Sequence, residues 1–124
     1  MTELILSNLP KTWLIDLDGV ILEHNGYKQD GDKLLPGAKE FWELISEEDF
    51  IILLTARKEE MRESTLALLT NSGLRYNMAV FGVPTGERIC INDKKPSGLL
   101  TSYAVNLLRN EGLDSLKVIK DSNL

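Results

Sequence analysis

Residues 11–21 read KTWLIDLDGVI, and this stretch decides how the rest of the chain can be arranged. Its β-branched and apolar residues at 12–15 predict a central strand. Two carboxylates, Asp16 and Asp18, follow it, and Gly19 then lets the backbone turn. Both carboxylates can therefore converge at a strand end, where ligands bind in open parallel α/β sheets. Clustered carboxylates are costly unless something positive neutralises them, and Mg²⁺ bound with a phosphate is the usual partner.

The length and composition limit the kind of protein that this sequence can form. With 124 residues, we expect one domain, residues 1–124, that buries roughly two-thirds of its unfolded surface. The net charge of −5 argues against nucleic-acid and anionic-membrane binding. No apolar stretch approaches the length of a membrane span. Cys90 is the only cysteine, it lies in an apolar run that predicts a core position, and no leader is evident. We therefore expect a cytoplasmic protein without disulfides.

Strand and helix patterns alternate along the chain. Strands are predicted at residues 12–15, 50–54, 78–81, 88–91 and 116–119, with residues 3–6 as a further short strand or an ordered arm. Helices are predicted from Pro36 to near Glu48, over residues 58–72 with Gly73 as the stop, and from Pro96 and Ser97 to Gly112. This alternation predicts an α/β fold, a three-layer, doubly wound, Rossmann-like parallel sheet with right-handed crossovers. The turn-rich insert at residues 22–35 is too short to be a cap domain.

Three predicted strands end in polar residues. Asp16 and Asp18 follow the first of these strands, and Thr55 and Arg57 follow the second. The predicted strand at 88–91 is followed by a polar run of Asn92, Asp93, Lys94 and Lys95. Because the carboxyl ends of parallel strands share one edge, we expect all three groups at one site.

These segments resemble three motifs of the haloacid dehalogenase-like (HAD) phosphohydrolase superfamily. The DxDG(V/T) signature is present as DLDGV, the strand-plus-Thr signature as IILLTAR, and the acidic metal motif as ICINDKKP. The resemblance covers nearly the whole chain and is closest to the small capless phosphatases. It implies a HAD-like, capless fold and a Mg²⁺-dependent phosphatase.

The resemblance also implies a role for individual residues. Asp16 would attack phosphorus and form an aspartyl-phosphate, and Asp18 would relay the proton. Mg²⁺ would be bound by Asp16, Asp93 and the backbone carbonyl of Asp18. The equatorial phosphate oxygens would be held by Thr55, by backbone N–H groups such as that of Ala56, and by a lysine.

The phosphate-binding cation is the least certain member of this set. The loop after the third predicted strand carries no lysine, and Arg88 would lie ~16 Å before Asp93 at the wrong end of an extended strand. Lys94 or Lys95 therefore takes the role, and Lys95 is preferred because its Lys-Pro pair begins the last predicted helix.

Several other polar residues have two interpretations. Thr55 could instead cap the following helix. Arg57 could contact the substrate or simply face solvent at the helix start. His24 and Tyr27, in the insert after Asp18, could contact the substrate or be exposed.

The preferred function is a Mg²⁺-dependent phosphomonoesterase that acts through an aspartyl-phosphate on a sugar phosphate or related small phosphometabolite. One alternative is a receiver-like phospho-signalling domain, although the third predicted strand ends in Phe81 and Gly82 rather than in an aspartate. The other is a HAD-like protein that binds a phospho-ligand with little turnover. A homo-oligomer is expected if the enzyme selects a small sugar phosphate, because no cap encloses the site.

Overall fold

The centre of the molecule is a parallel sheet of three strands. A computed structural model describes residues 2–28 and 31–124. Strands β2 (Thr12–Asp16), β3 (Phe50–Leu54) and β4 (Met78–Val80) lie in the order β2-β3-β4. Thr12 pairs with Phe50, and Ile52 pairs with Met78. The prediction of parallel strands in these three places is confirmed.

A second, smaller sheet joins the two ends of the chain. Strand β1 (Thr2–Leu6) pairs in parallel with β5 (Leu116–Lys120). Both segments were predicted from the sequence, residues 3–6 only as a strand or an ordered arm. Leu116 and Val118 of β5 pack against the main core.

Two α-helices connect the strands of the central sheet. Helix α1 spans Ala38–Leu44, shorter than predicted, and buries Phe41 and Trp42. Helix α2 spans Arg62–Asn71, preceded by a 3₁₀ turn at Glu59–Met61. Gly73, with φ of 77°, ends α2 as predicted, because glycine adopts the left-handed conformation without steric cost. A second 3₁₀ turn, Gly26–Lys28, lies in the insert.

One face of the central sheet carries the core. Ile15, Ile51 and Leu53 are buried on it, together with side chains of α1 and α2. Near the amino-terminal ends of β2 and β3, Asp49 accepts hydrogen bonds from the Trp13 indole at 2.9 Å and from the Lys11 amide at 3.0 Å. The opposite face is less covered, with exposed Leu14, Met78 and Val80. The α/β class is confirmed, but the third layer is not formed among the described residues.

The third layer is missing because residues 82–110 do not form the predicted elements. Neither the strand at 88–91 nor the helix after Pro96 and Ser97 is present. Ile91 is 91% exposed, and Cys90, predicted to be in the core, is exposed. Backbone hydrogen bonds here include local ones, such as the Lys95 amide to the Leu99 carbonyl at 2.9 Å. An apolar run indicates where a strand could form, but a strand needs a neighbouring edge, and this segment pairs with none.

No helix of the described part of the chain is long and apolar enough to cross a membrane.

Candidate active site at the carboxyl ends of β2 and β3

The turn after β2 keeps its two carboxylates close to the sheet edge. The Leu17 amide donates to the Leu54 carbonyl at 3.1 Å, which extends the pairing one residue beyond β2. Gly19 has φ of 87°, a conformation that few other residues tolerate. The Leu17 carbonyl then accepts hydrogen bonds from the amides of three residues, Val20, Ile21 and Leu22. Asp16 and Asp18 therefore stand on either side of a buried, fixed Leu17.

Thr55 contacts Asp18 directly. Its hydroxyl donates to Oδ2 of Asp18 at 3.1 Å, and its side chain is almost fully buried. The same hydroxyl accepts from the Arg57 amide at 3.0 Å, a local turn rather than a helix cap. The Thr55 amide donates to the Val80 carbonyl at 3.0 Å, so β4 fixes the backbone of this residue. The structure thus brings together residues that follow β2 and β3.

Arg57 is buried, which excludes the interpretation that it faces solvent. Its Nε and Nη2 lie 3.1 and 2.8 Å from Oδ1 of Asp18. Nη1 donates to Oδ2 of Asp32 at 2.9 Å and to the Thr65 hydroxyl at 3.1 Å, and Nη2 also donates to Oδ1 of Asp32 at 2.7 Å. A guanidinium has five N–H donors, and these contacts use all five. Arg57 therefore has no N–H left for a substrate in this conformation.

The environment of Arg57 is strongly anionic. Its side chain is 1% exposed, whereas those of Asp18 and Asp32 are 17% and 16% exposed. Burial lowers the pKa of Arg57, but the hydrogen bonds that Arg57 donates to Asp32 and Asp18 outweigh this effect and raise that pKa above its ordinary value. The Tyr27 ring lies 4.6 Å from the guanidinium carbon, a cation–π contact.

Asp16 is the more accessible of the two carboxylates at the end of β2. Burial raises its pKa above the ordinary value, and the charge of Asp18 adds to this. Arg88, the Leu17 amide and His24 act in the opposite direction. Its side chain remains 41% exposed, and its Oδ1 lies 3.8 Å from Nη2 of Arg88. Asp16 thus combines a partly desolvated carboxylate with access to solvent, as a nucleophile requires.

The position of Arg88 corrects the expectation that it lies far from the site. That distance assumed an extended strand at 88–91, which does not form. Instead, Nη1 of Arg88 donates to the carbonyls of Pro84 at 2.6 Å and Gly86 at 2.9 Å, and Nη2 faces Asp16. The cation nearest to Asp16 in the described structure is thus one that the sequence reasoning had rejected.

Other predicted residues lie in different surroundings. Ala56 is exposed next to Thr55, and Asp93, Lys94 and Lys95 lie in an exposed coil. The described residues contain no group of three or more His, Cys, Asp or Glu side chains that could hold a metal ion. Asp93 is therefore not gathered with Asp16 and Asp18 here, and its role as a ligand stays a prediction.

His24 lies beside the Gly19 turn. Its amide donates to Oδ1 of Asn110 at 2.7 Å, and the Asn110 amide donates to the Gly19 carbonyl at 2.9 Å. The Arg109 side chain lies against Gly19, with its Cγ 3.3 Å from where a β-carbon would stand. Residues near 110 therefore brace the turn that carries Asp18.

No family model, curated protein or solved structure matches this chain. The resemblance to the HAD superfamily therefore rests on the three sequence motifs. The contact between Asp18 and Thr55 is compatible with it.

Sequence reasoning missed Asp32 altogether. It directly follows Gly31 in the turn-rich insert, and nothing in the neighbouring sequence distinguishes it from a solvent-exposed loop carboxylate. Its partner Arg57 is 25 residues away in the chain. Asp32 could have been identified only if the burial of Arg57, and so its need for a neutralising carboxylate, had been expected.

Proposed function

We propose that this protein is a phosphomonoesterase of the HAD-like, capless type, acting through an aspartyl-phosphate on a small phosphorylated metabolite. The observation that carries the proposal is the contact between Asp18 and Thr55 at the edge where β2 and β3 end. Carboxylates after one strand and a hydroxyl after its neighbour are the groups that such a reaction needs at one place. The cytoplasmic location remains part of this proposal.

Asp16 and Asp18 divide the chemistry between them. A carboxylate oxygen of Asp16 forms a bond to phosphorus while the P–O bond to the alcohol breaks, and a proton from the Asp18 carboxyl goes to the leaving oxygen. Water then attacks phosphorus, giving its proton to Asp18, and the acyl–phosphate P–O bond breaks. Inorganic phosphate leaves and the Asp16 carboxylate is regenerated.

Arg88 is the residue that we propose to bind the phosphate. Its guanidinium is 37% exposed and faces Asp16, which supports contact with an anion held beside the nucleophile. Lys94 and Lys95, preferred from the sequence, are exposed and remain the alternatives. Arg88→Ala should raise KM more than Lys95→Ala does, and the reverse order would return the role to the lysine.

The proposal includes Mg²⁺, because this ion prefers oxygen ligands such as carboxylates and carbonyls. It needs only one or two protein carboxylates, because it keeps waters and phosphate oxygens as further ligands. Asp16 and the backbone carbonyl of Asp18 would be its protein ligands, and Asp93 would join only in a different arrangement of residues 82–110. When bound, the ion would neutralise charge on the phosphate oxygens.

The test is phosphate release from a panel of phosphometabolites, with Mg²⁺ and with EDTA. Asp16→Asn should abolish release, because the amide keeps the volume but cannot act as the anionic nucleophile. Asp121→Asn is the matched control, since Asp121 lies just beyond β5, in the other sheet. Turnover by Asp16→Asn at the wild-type rate would refute the mechanism.

A second candidate function is binding of a phospho-ligand with little turnover. It is favoured by the hydrogen bonds to both carboxylate oxygens of Asp18, which leave that group ion-paired with Arg57. A protein of this kind would bind phosphate esters without releasing phosphate. Calorimetric titration of esters that the panel fails to hydrolyse distinguishes the two functions.

The absence of a cap domain bears on selectivity. The insert at residues 22–35 is too short to be a cap domain, so a second subunit would be needed to enclose a small substrate. We therefore propose a homo-oligomer if the enzyme selects a sugar phosphate over a generic aryl phosphate. A strongly selective monomer would contradict this.

A further inference from the structure

The ion pair between Arg57 and Asp32 connects the insert to the proton-transfer group. Asp32 makes no contact with Asp16, Asp18 or Thr55 in the hydrogen bonds of the described residues, yet it binds the guanidinium that grips Asp18. We propose that Asp32 is a positioning residue, which holds Arg57 in the orientation that fixes the Asp18 carboxylate. This inference rests on the proposed function, because it is proton transfer by Asp18 that the positioning serves.

Arg57 and Asp32 form a bidentate ion pair, which we call the clamp. Nη1 and Nη2 of Arg57 reach separate oxygens of Asp32, at 2.9 and 2.7 Å. Such two-pronged contacts between a planar guanidinium and a carboxylate fix orientation as well as distance. Because Nη2 also donates to Asp18 at 2.8 Å, any rotation of the guanidinium away from Asp32 changes its hold on Asp18.

Other contacts restrict the guanidinium from different directions. The Tyr27 ring lies 4.6 Å from its central carbon, and the Thr65 hydroxyl of α2 accepts from Nη1 at 3.1 Å. Without Asp32, two of the five N–H donors of a side chain that is 1% exposed would lose their partner. A buried arginine in that state gains by moving toward water, which would release Asp18 from its fixed orientation.

Charge balance gives Asp32 a second effect on Arg57. The cluster holds two carboxylates and one guanidinium, so Asp32 shares the positive charge that would otherwise face Asp18 alone. Removing the Asp32 carboxylate would leave Asp18 as the only carboxylate bound to this buried guanidinium among the described contacts.

The experiment compares Asp32→Asn and Asp32→Glu with the wild type. Glu23→Gln is the control, because it removes a carboxylate from the same insert without touching the clamp. For Asp32→Asn we expect kcat on an aryl phosphate to fall about tenfold or more, with KM within about twofold, because misplaced catalytic groups slow chemistry without weakening binding. Asp32→Glu should recover part of kcat, because it restores the charge at a displaced position.

A second readout does not depend on activity. The Arg57 Nε–H proton is buried and hydrogen-bonded, so its exchange with solvent, measured by ¹⁵N NMR, should be slow in the wild type and in Glu23→Gln. It should be clearly faster in Asp32→Asn. If Asp32→Asn does not fold, Asp32→Glu supplies the same two comparisons.

The outcomes separate this inference from the proposed function. An unchanged kcat, a rise in KM alone, or unchanged Arg57 exchange in a folded Asp32→Asn would overturn the positioning role. A drop in KM would show instead that Asp32 keeps Arg57 away from the substrate. A wild-type protein that hydrolyses no phosphate ester would refute the proposed function. The exchange measurement would then test only whether Asp32 holds Arg57 in place.

Discussion

Arg57 and Asp32 lie 25 positions apart in the chain, yet their side chains meet through two hydrogen bonds of 2.9 and 2.7 Å. Asp18 shares the same guanidinium, at 2.8 Å. The insert after β2 and the strand end after β3 are therefore joined through one buried cation. The fold around the candidate site therefore depends on that cation.

Arg57→Met should destabilise the protein strongly. The substitution removes the charge but keeps much of the volume, so Asp18 and Asp32 become neighbouring carboxylates without the cation that neutralises them. Breaking a buried pair in this way costs about 3–5 kcal/mol, and the partial exposure of both carboxylates places the expected loss at the lower end. Urea denaturation measures it. Arg57→Lys keeps the charge without the fork and should lose less, and a loss for Arg57→Met below about 1 kcal/mol would show that the ion pairs are weak.

Asp16→Asn should make the protein more stable near neutral pH. Burial raises the pKa of Asp16 above its ordinary value of 3.8, so the folded state favours the protonated form. The stabilisation that comes from protonated Asp16 is complete below the pKa that this group has in the unfolded chain. It is lost as the pH rises through the pKa that the group has in the folded protein. Asparagine stays neutral, so the variant does not lose this stabilisation at neutral pH. Its advantage in unfolding free energy over the wild type should shrink on acidification below about pH 3.8. The 41% exposure of Asp16 keeps the effect small. Urea unfolding at both pH values measures it, and a variant that is less stable than the wild type at neutral pH would contradict this prediction.

Cys90 should react with a thiol reagent in the folded protein. It is exposed, so Ellman's reagent should modify one thiol per chain at a rate close to that of the urea-unfolded protein. Sequence reasoning placed Cys90 in a buried strand, which predicts protection until unfolding. Slow labelling of the native protein would therefore show that residues 88–91 do form a strand.

Gly112→Ala should cost far more stability than Gly73→Ala. Both glycines have positive φ, 83° and 77°, so each alanine pays about 1–2 kcal/mol for the left-handed conformation. A β-carbon at Gly73 meets nothing within 4 Å, whereas at Gly112 it would clash with the Pro36 carbonyl. Thermal unfolding of the two variants provides the comparison. Similar midpoints would mean that the backbone at Pro36 moves aside.

The sequence predicted the elements that depend on local pattern. Apolar runs identified β2 and β3, and Gly73 identified the end of α2, because apolar runs and backbone freedom act over a few residues. The sequence also indicated that Asp18 and Thr55 could meet, since both follow strands that pair in parallel.

Residues 88–91 show where local pattern was insufficient. Their apolar run fits a strand as well as that of β2 does, but a strand forms only against a partner edge. Without this strand, Arg88 lies 3.8 Å from Asp16 and Asp93 lies in a coil, so both residues occupy positions that differ from the expected ones.

The α/β class, the parallel strands and the two carboxylates at the end of β2 could all be predicted from local sequence patterns. The burial of Arg57 and its ion pair with Asp32 became known only from the folded structure. Strand and turn preferences are properties of neighbouring residues. Neutralising a buried charge depends instead on which distant side chains the folded backbone brings within hydrogen-bonding distance.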